Sequence, residues 1–217
     1  MTMVSKLQEE RIESTKGIKL FVRSWRPETP RAVVVICHGV NSHGGQYVWV
    51  GEQLEASRFA VYALDLRGRG KSDGERFYVD DIADYVSDVA AVVELARSRN
   101  PGVPIFLLGH SAGGVACATY VLENQAKLSG FICESFAFQV PGPNFALTVL
   151  KGLSHVAHHA HILHLNNEDF SRDPRAVQAM NEDPLIAHEV QPTQTVAEMV
   201  RADERLKKEF PRITCRC

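Results

Sequence analysis

The sequence predicts an α/β fold in which a mostly parallel sheet is covered by helices on both faces. Between residues 18 and 137, short segments rich in Val, Ile, Leu and Phe alternate with longer amphipathic segments. The segment at 32–37, AVVVIC, is continuous and β-branched, which is typical of a strand buried on both faces. With 217 residues, 45% of them hydrophobic and 23% charged, the chain is long enough to bury a substantial core as one domain.

The predicted elements follow one another with the rhythm of a parallel sheet. IKLFVRSW at 18–25 alternates apolar and polar residues, which predicts an exposed strand and therefore a mixed sheet. The buried strand at 32–37 comes next, followed by a helix at about 46–57, a strand at 59–66, a glycine-rich loop and a helix at about 81–99. A strand at 103–109, a helix at about 111–127 and a strand at 128–137 complete the series. Strands that alternate with helices imply mostly parallel pairing.

The pattern changes near residue 138. From 139 to about 210 no further clear strand is expected, and five prolines separate helical stretches: Pro141, Pro143, Pro174, Pro184 and Pro192. We interpret 1–138 as the N-terminal part of the sheet domain and 139–210 as a helical cap. Residues 211–217 are interpreted as the start of an incomplete strand of the sheet domain.

Composition and charge exclude several classes of protein. The formal net charge is −2 and no basic block is present, so the sequence does not predict nucleic-acid binding. The N-terminal segment lacks the apolar centre of a signal peptide, and no stretch approaches 18 uncharged apolar residues, which predicts a cytoplasmic protein. Cys37, Cys117 and Cys133 are expected to be buried, reduced thiols. Cys215 and Cys217 lack the second pair of ligands that a zinc site needs.

The segment GHSAG at 109–113 predicts a nucleophilic serine. It matches G-x-S-x-G and lies between a predicted strand and a predicted helix, where a sharp turn with small neighbours would expose Ser111. Gly109 and Gly113 would permit the turn, and the amide of Ala112 would face a developing oxyanion. The alternative is a structural serine that caps the helix.

The segment CHGV at 37–40 predicts a second oxyanion amide. It follows the buried strand at 32–37, and a loop at the carboxyl end of a neighbouring strand usually supplies such a second donor. Val40 would donate its backbone N–H beside that of Ala112. His38 and Gly39 are expected to shape the turn, which makes His38 a poor candidate for a general base.

Two nucleotide-binding motifs fail in DLRGRGKSDG at 65–74. A P-loop would require glycine where Asp65 stands, and the dinucleotide fingerprint would require glycine where Asp73 stands. We therefore expect a flexible loop at the rim of the site and no nucleotide cofactor.

A histidine-rich segment, SHVAHHAHILHLNN at 154–167, has helical periodicity. His155 and His159 could share a face, but no H-E-x-x-H motif or third ligand accompanies them, so no metal site is predicted. The neighbouring leucines and valines favour an amphipathic cap wall that lines an acyl pocket or touches lipid. An ordinary cap helix packed on the sheet domain explains the pattern equally well.

The sequence resembles the monoacylglycerol lipase branch of the α/β-hydrolase superfamily in four segments that occur in the family's order. These segments are HGVNSHGGQY, DLRGRGKSDG, GHSAGG and SRDPRAVQAMNEDPL. The resemblance implies an eight-stranded sheet and a helical cap that admits lipid esters and approaches membranes. It also implies that Ser111 is the nucleophile, that Val40 and Ala112 form the oxyanion hole, and that the segment after Gln139 walls the acyl tunnel. No metal or organic cofactor is implied.

The chain departs from the family pattern in one respect. The family order is serine, aspartate, histidine, and the last two follow strands beyond the cap. Here FPRIT is followed by CRC, so the matching aspartate and histidine and the C-terminal strands are expected to be missing. A histidine of 155–164, oriented by Asp169 or Asp173, could substitute, but a mobile cap would hold a base poorly.

Three functions remain open on the sequence alone. The first is hydrolysis of monoacylglycerols or similar single-chain lipid esters, with the activity of this chain in question. The second is a catalytically inactive module that binds lipid or a partner. The third is hydrolysis of peptides, thioesters or small aryl esters. The resemblance further suggests peripheral membrane contact through the cap, and a strand at 128–137 left at the sheet edge would favour self-association.

Overall fold

The computed structural model describes residues 7–137, 144–154 and 156–216. Its main sheet has six strands: β1 Gln8–Glu13, β2 Lys19–Trp25, β3 Ala32–Cys37, β4 Phe59–Leu64, β5 Ile105–His110 and β6 Gly130–Glu134. The spatial order is β1-β2-β4-β3-β5-β6. β1 and β2 pair antiparallel, as do β2 and β4, whereas the β4-β3-β5-β6 part is parallel. The sheet is therefore mixed, as the sequence predicts.

Six α-helices accompany the sheet in the described ranges: α1 Val48–Ala56, α2 Ile82–Arg99, α3 Ala112–Asn124, α4 Asn144–Leu153, α5 Pro174–Glu182 and α6 Thr193–Glu209. All six residues of β3 are buried, because apolar clusters cover both faces of the sheet. One cluster contains Val33 and Val35 together with side chains of α2, α3 and α6. The other contains Val34, Ile36 and Trp25 and packs against α1. Successive side chains of β3 therefore pack into two separate apolar clusters, one on each face of the sheet.

Two predictions about the N-terminal strands are wrong. β1, with the sequence QEERIE, was not predicted, because most of its side chains are polar and it lies at the edge of the sheet. β2 was predicted to be exposed, yet every residue after Lys19 is buried. Its charged member, Arg23, is accommodated by a buried ion pair in which Nη1 lies 2.9 Å from Oδ1 of Asp65.

The predicted helical character of 154–167 is also wrong. His161–His164 forms β7, which pairs antiparallel with β8, Val190–Pro192. The backbone N–H and the hydroxyl of Thr193 both donate to the carbonyl of Ala160. This tertiary pairing supplies the backbone partners that an isolated helix would otherwise supply, and it overrides the local periodicity.

The last helix and the C-terminal residues lie against the sheet domain. Met199, Ala202 and Leu206 of α6 belong to the same apolar cluster as the strands. The carbonyl of Arg216 accepts a hydrogen bond from the Phe131 N–H of β6 at 2.8 Å. The boundaries 1–138, 139–210 and 211–217 remain predictions.

β6 is an outer strand of the sheet within the described ranges. Ile132, Cys133 and Glu134 are exposed there, so the expectation that Cys133 is buried is wrong, whereas Cys37 and Cys117 are buried. Self-association through this edge remains a prediction. Among the described helices, none combines the length and apolarity needed to cross a membrane.

Candidate active site

Ser111 occupies a sharp turn between β5 and α3. Its backbone has φ 52° and ψ −122°, in the left-handed half of conformational space that residues with a side chain seldom adopt. The turn is held in place because the Ser111 N–H donates to the Glu134 carbonyl at 3.0 Å and the Ser111 carbonyl accepts from the Gly114 N–H at 2.9 Å. A serine fixed this way at the carboxyl end of a parallel strand has the geometry of a nucleophile elbow.

Glycines around Ser111 let the strand, the helix and a neighbouring loop approach closely. A Cβ on Gly113 would lie 2.2 Å from the His38 carbonyl oxygen, and one on Gly109 would lie 2.7 Å from the Gly114 Cα. Neither clash can be relieved by rotating a side chain, because both involve backbone atoms. The motif therefore requires glycine at both positions for packing.

The loop after β3 lies directly against Ser111. A Cβ on Gly39 would be 2.8 Å from the Ser111 Cβ and 3.3 Å from its Oγ. Val40, which is half-buried, follows Gly39 in the chain. Ala112 is the first residue of α3, so its N–H has no acceptor within the helix, and the helix dipole adds partial positive charge there. The structure thus brings together Ser111, Gly39 and Ala112, with Val40 beside them.

His38 supports this loop and is not available as a base. Its side chain is fully buried, its Nδ1 lies 2.7 Å from the Gly39 carbonyl, and its Nε2 accepts from the Leu66 N–H at 3.1 Å. Burial lowers the pKa of His38 to about 4, with the nearby Asp65 charge opposing the shift. The ring is neutral near pH 7, and both of its nitrogens are occupied by the backbone.

Three of the other described histidines form hydrogen bonds away from Ser111, whereas the buried Nδ1 of His110 has no hydrogen-bond partner. His43 Nε2 lies 2.8 Å from Asp183, His159 Nδ1 lies 2.7 Å from Glu75, and His164 Nδ1 donates to the Glu189 carbonyl at 3.1 Å. In the described ranges, no histidine is hydrogen-bonded to the Ser111 hydroxyl. His155 and the predicted wall residue Gln139 lie outside those ranges.

Among the described residues, neither candidate carboxylate, Asp169 or Asp173, is hydrogen-bonded to a histidine. The Asp173 carboxylate caps α5 by accepting from the Arg175 N–H. Across residues 7–137, 144–154 and 156–216, no three His, Cys, Asp or Glu side chains are placed to hold a metal ion.

The glycine-rich loop at 65–74 differs from the flexible rim predicted from the sequence, since its residues 65–70 are buried. Asp65 anchors it by accepting from the backbone N–H groups of Gly44 and Lys71 at 2.7 and 2.8 Å. The guanidinium of Arg69 is paired with Glu189 and bonds Gln191 at 2.7 Å. This loop joins the sheet domain to β8.

Sequence reasoning also missed Asn41. Its backbone has φ 47°, and its side-chain amide reaches residues 165 and 167. An asparagine directly after a predicted oxyanion loop could have been noted, because asparagine tolerates the left-handed conformation. Its partners, more than 120 positions away, leave no local signal.

Comparison with known proteins identifies the family to which the chain belongs. Residues 28–217 match the hydrolase family described as serine aminopeptidase, S33. The chain belongs to this family. The monoacylglycerol lipase of Mycolicibacterium smegmatis is 33% identical over 190 residues, which cover 86% of this chain and 68% of that protein. The monoglyceride lipase of Rattus norvegicus is 33% identical over 202 residues, which cover 91% and 67% of the two chains.

Solved structures confirm the predicted fold class. The crystal structure of Paleococcus ferrophilus monoacylglycerol lipase has a TM-score of 0.76 at 27% identity and covers 96% of this chain and 74% of that one. A carboxyl esterase from Bacillus coagulans has a TM-score of 0.78 at 21% identity, covering 98% and 77%, and supports the fold alone. The protein is an α/β-hydrolase of the monoacylglycerol lipase-like branch, a group of carboxylic ester hydrolases.

Proposed function

We propose that this α/β-hydrolase is a serine ester hydrolase that acts on monoacylglycerols or similar single-chain lipid esters. The observation that carries the proposal is the backbone of Ser111, which stands at φ 52° between β5 and the N-terminus of α3 with Gly39 packed against it. Family membership and the names of the two lipases that are 33% identical support the substrate class.

In the proposed mechanism, Ser111 Oγ attacks the ester carbonyl carbon and the carbonyl oxygen becomes an oxyanion. The N–H groups of Val40 and Ala112 donate to that oxyanion, which stabilises charge that exists only in the transition state and intermediate. Collapse breaks the bond to the alcohol and leaves an acyl-serine ester, which water then hydrolyses. A general base takes the serine proton and returns it to the leaving alcohol. This proton transfer has no assigned side chain among the described residues.

The acyl chain is proposed to lie against the cap. Leu150 and Leu153 of α4 and the nearby Val156 provide apolar surface, and a chain in contact with them would leave water. Each methylene transferred from water contributes about 0.8 kcal/mol to binding. The proposal therefore expects kcat/KM to rise with acyl length until the apolar surface is filled.

Fluorophosphonate labelling followed by intact-mass measurement tests the nucleophile. The proposal expects one adduct per chain and none on Ser111→Ala, because only an activated serine attacks the reagent's phosphorus. The exposed Ser98→Ala variant is the matched control and should label like the parent chain. Absence of an adduct on the folded parent chain would contradict the proposal.

A series of esters from acetyl to long-chain acyl, with peptide and thioester analogues, tests the substrate class. Preference for medium or long acyl esters supports a lipid esterase. A preference for small aryl esters, thioesters or aminoacyl substrates would instead favour hydrolysis of those substrates. The description of the family as serine aminopeptidase is the reason for including them.

The second candidate is a module that binds lipid without hydrolysing it. It is favoured by one observation, namely that no described histidine is bonded to the Ser111 hydroxyl. This candidate expects no fluorophosphonate adduct and equal binding of a long-chain monoacylglycerol ether by the parent chain and Ser111→Ala. The ether serves as the probe because it has no ester carbonyl.

A further inference from the structure

Asn41 joins the proposed oxyanion loop to the cap. It directly follows Val40, and only 3% of its surface is exposed. Its Nδ2 donates two hydrogen bonds across the molecule, one to the Leu165 carbonyl and one to Asn167 Oδ1, each at 2.9 Å. Both acceptors lie in the cap, immediately after β7.

The backbone of Asn41 lies in the left-handed region that favours glycine, yet this residue carries a side chain. At φ 47° a glycine would avoid the steric cost that any side chain incurs. Asparagine tolerates the conformation better than most residues, and it adds a side chain that glycine lacks. Both hydrogen bonds of its Nδ2 are donated to residues 165 and 167, whereas its Oδ1 is buried without a hydrogen-bond partner.

Gly39 and Val40 lie between two residues, His38 and Asn41, whose side chains are held by hydrogen bonds. On one side, His38 is locked by the Leu66 N–H and the Gly39 carbonyl. On the other side, Asn41 is locked by the cap. A donor of an oxyanion hole must be held in place before the charge develops, since its value depends on preorganisation. The peptide group that carries the Val40 N–H is thus held at its Gly39 carbonyl by His38, and Asn41 holds the chain on the far side of Val40.

The cap side of the attachment is itself braced. Asn167 Nδ2 donates to Asn181 Oδ1 of α5 at 2.7 Å, so the acceptor that Asn41 uses is oriented by a second helix. Two residues beyond Asn41, His43 bonds Asp183 just after α5. A displacement of α5 would therefore reach the loop through both connections.

From this geometry we infer that Asn41 is a positioning residue that couples the cap to the Val40 amide. The inference rests on the proposed function, in which that amide stabilises the oxyanion. Asn41 does not touch substrate in this scheme; it acts through the backbone that precedes it.

Three variants separate the backbone from the side chain. Asn41→Gly keeps the left-handed backbone and removes both hydrogen bonds. Asn41→Asp keeps the shape but places acceptor oxygens against the Leu165 carbonyl and Asn167 Oδ1, where no proton remains to be donated. Asn167→Ala leaves the loop intact and removes one acceptor in the cap. The exposed Gln178→Ala, which loses only a bond to Glu182 on α5, is the matched control.

Fluorophosphonate labelling at increasing reagent concentration gives the first readout. If the Val40 amide is mispositioned, the maximal labelling rate should fall about tenfold in Asn41→Gly and Asn41→Asp and about threefold in Asn167→Ala. The rate falls because a donor that is out of place stabilises the transition state less. The reagent concentration that gives half the maximal rate should stay unchanged in these three variants. In Gln178→Ala, both the maximal rate and this concentration should equal those of the parent chain. A purely structural role would lower the thermal midpoint and leave the maximal rate unchanged.

Hydrogen exchange of the peptide that covers residues 38–43 gives a second readout that needs no activity. Faster exchange in Asn41→Gly and Asn167→Ala, but not in Gln178→Ala, supports the coupling. Unchanged exchange together with unchanged labelling overturns it. If the parent chain itself is not labelled, the proposed function fails. Hydrogen exchange then decides the coupling alone: faster exchange in the two variants supports it, and unchanged exchange overturns it.

Discussion

At the scale of single residues, the conformation of Ser111 makes a prediction about stability. A residue with a Cβ at φ 52° costs free energy that only the surrounding turn compensates. Ser111→Gly removes the Cβ, whereas Ser111→Ala keeps it, so the glycine variant should be the more stable by about 1 kcal/mol after the entropy of glycine is counted. Urea unfolding of both variants measures the difference.

The exposed Ser98 in α2 provides the control for this comparison. Ser98 lies in the last turn of α2, where glycine is worse than alanine by less than the ~1 kcal/mol of a helix interior, so Ser98→Gly should be slightly less stable than Ser98→Ala. The order of the two variants should therefore reverse between positions 98 and 111. The same order at both sites would mean that Ser111 is not strained.

His38 makes the fold sensitive to acid. Burial lowers its pKa to about 4 in the folded protein, whereas a free histidine titrates near 6.5. As pH falls from about 6.5 to 4, the unfolded chain binds a proton that the folded chain does not, so stability falls by about 3 kcal/mol over that window. Unfolding free energies at pH 7.5, 6.5, 5.5 and 4.5 measure the loss.

Two replacements show whether His38 is the cause. His38→Gln should be less stable at pH 7.5, because it loses a well-fitted ring, but should lose less further stability on acidification. The exposed His188→Gln serves as the matched control and should retain the acid loss of the parent chain. An equal acid loss in all three proteins would assign the effect to other groups.

At the scale of elements, a buried ion pair connects the loop after β4 to β8. Arg69 and Glu189 are each about 2% exposed, and Arg69 also bonds Gln191 and Tyr85. Burial opposes the charge of Arg69, but Glu189 and Tyr85 outweigh it and raise the pKa of Arg69 above its usual value. Arg69 is therefore charged in a site from which water is excluded.

Removing the charge of Glu189 should be costly. Glu189→Gln leaves the buried guanidinium without a counter-charge, which typically destabilises a protein by about 3 kcal/mol or more. Glu94→Gln, which breaks an exposed pair with Lys127, should cost less than about 0.5 kcal/mol and is the control. Urea unfolding of the two variants decides the question, and equal effects would contradict the assigned role of the pair.

The elements also show why part of the fold could be predicted. β3, β5 and α2 are long, strongly patterned segments whose burial follows from local sequence. β7 and β8 have four and three residues and exist because they pair with each other across about 30 positions, which local periodicity cannot reveal. Tertiary pairing decides such short segments.

The same distinction applies to the candidate site. Ser111, Gly109 and Gly113 are adjacent in the chain and form one recognisable motif. Asn41 and the pair of Arg69 with Glu189 could not be predicted, because their partners lie more than 100 positions away. What the sequence supplies is the local chemistry; the connection between cap and sheet domain is a property of the folded chain.

At the scale of the whole molecule, exposed apolar side chains are unevenly distributed. Of the seven large ones in the described ranges, four fall between residues 149 and 162: Val149, Leu153, Val156 and Ile162. Val156 is the most exposed of the seven, at 81%. Apolar side chains gathered in one segment favour contact with a partner or a lipid surface over exposure to water.

We expect this segment to carry peripheral binding to lipid vesicles. Each exposed valine that enters the interface adds apolar burial, so replacing Val149 and Val156 together by glutamate should weaken sedimentation with phosphatidylcholine vesicles about tenfold or more. Trp49→Glu is the matched control, because Trp49 is 69% exposed on α1 of the sheet domain and lies outside the segment. Equal weakening by Trp49→Glu would show that binding is not confined to the cap, and no binding by the parent chain would exclude membrane contact through it.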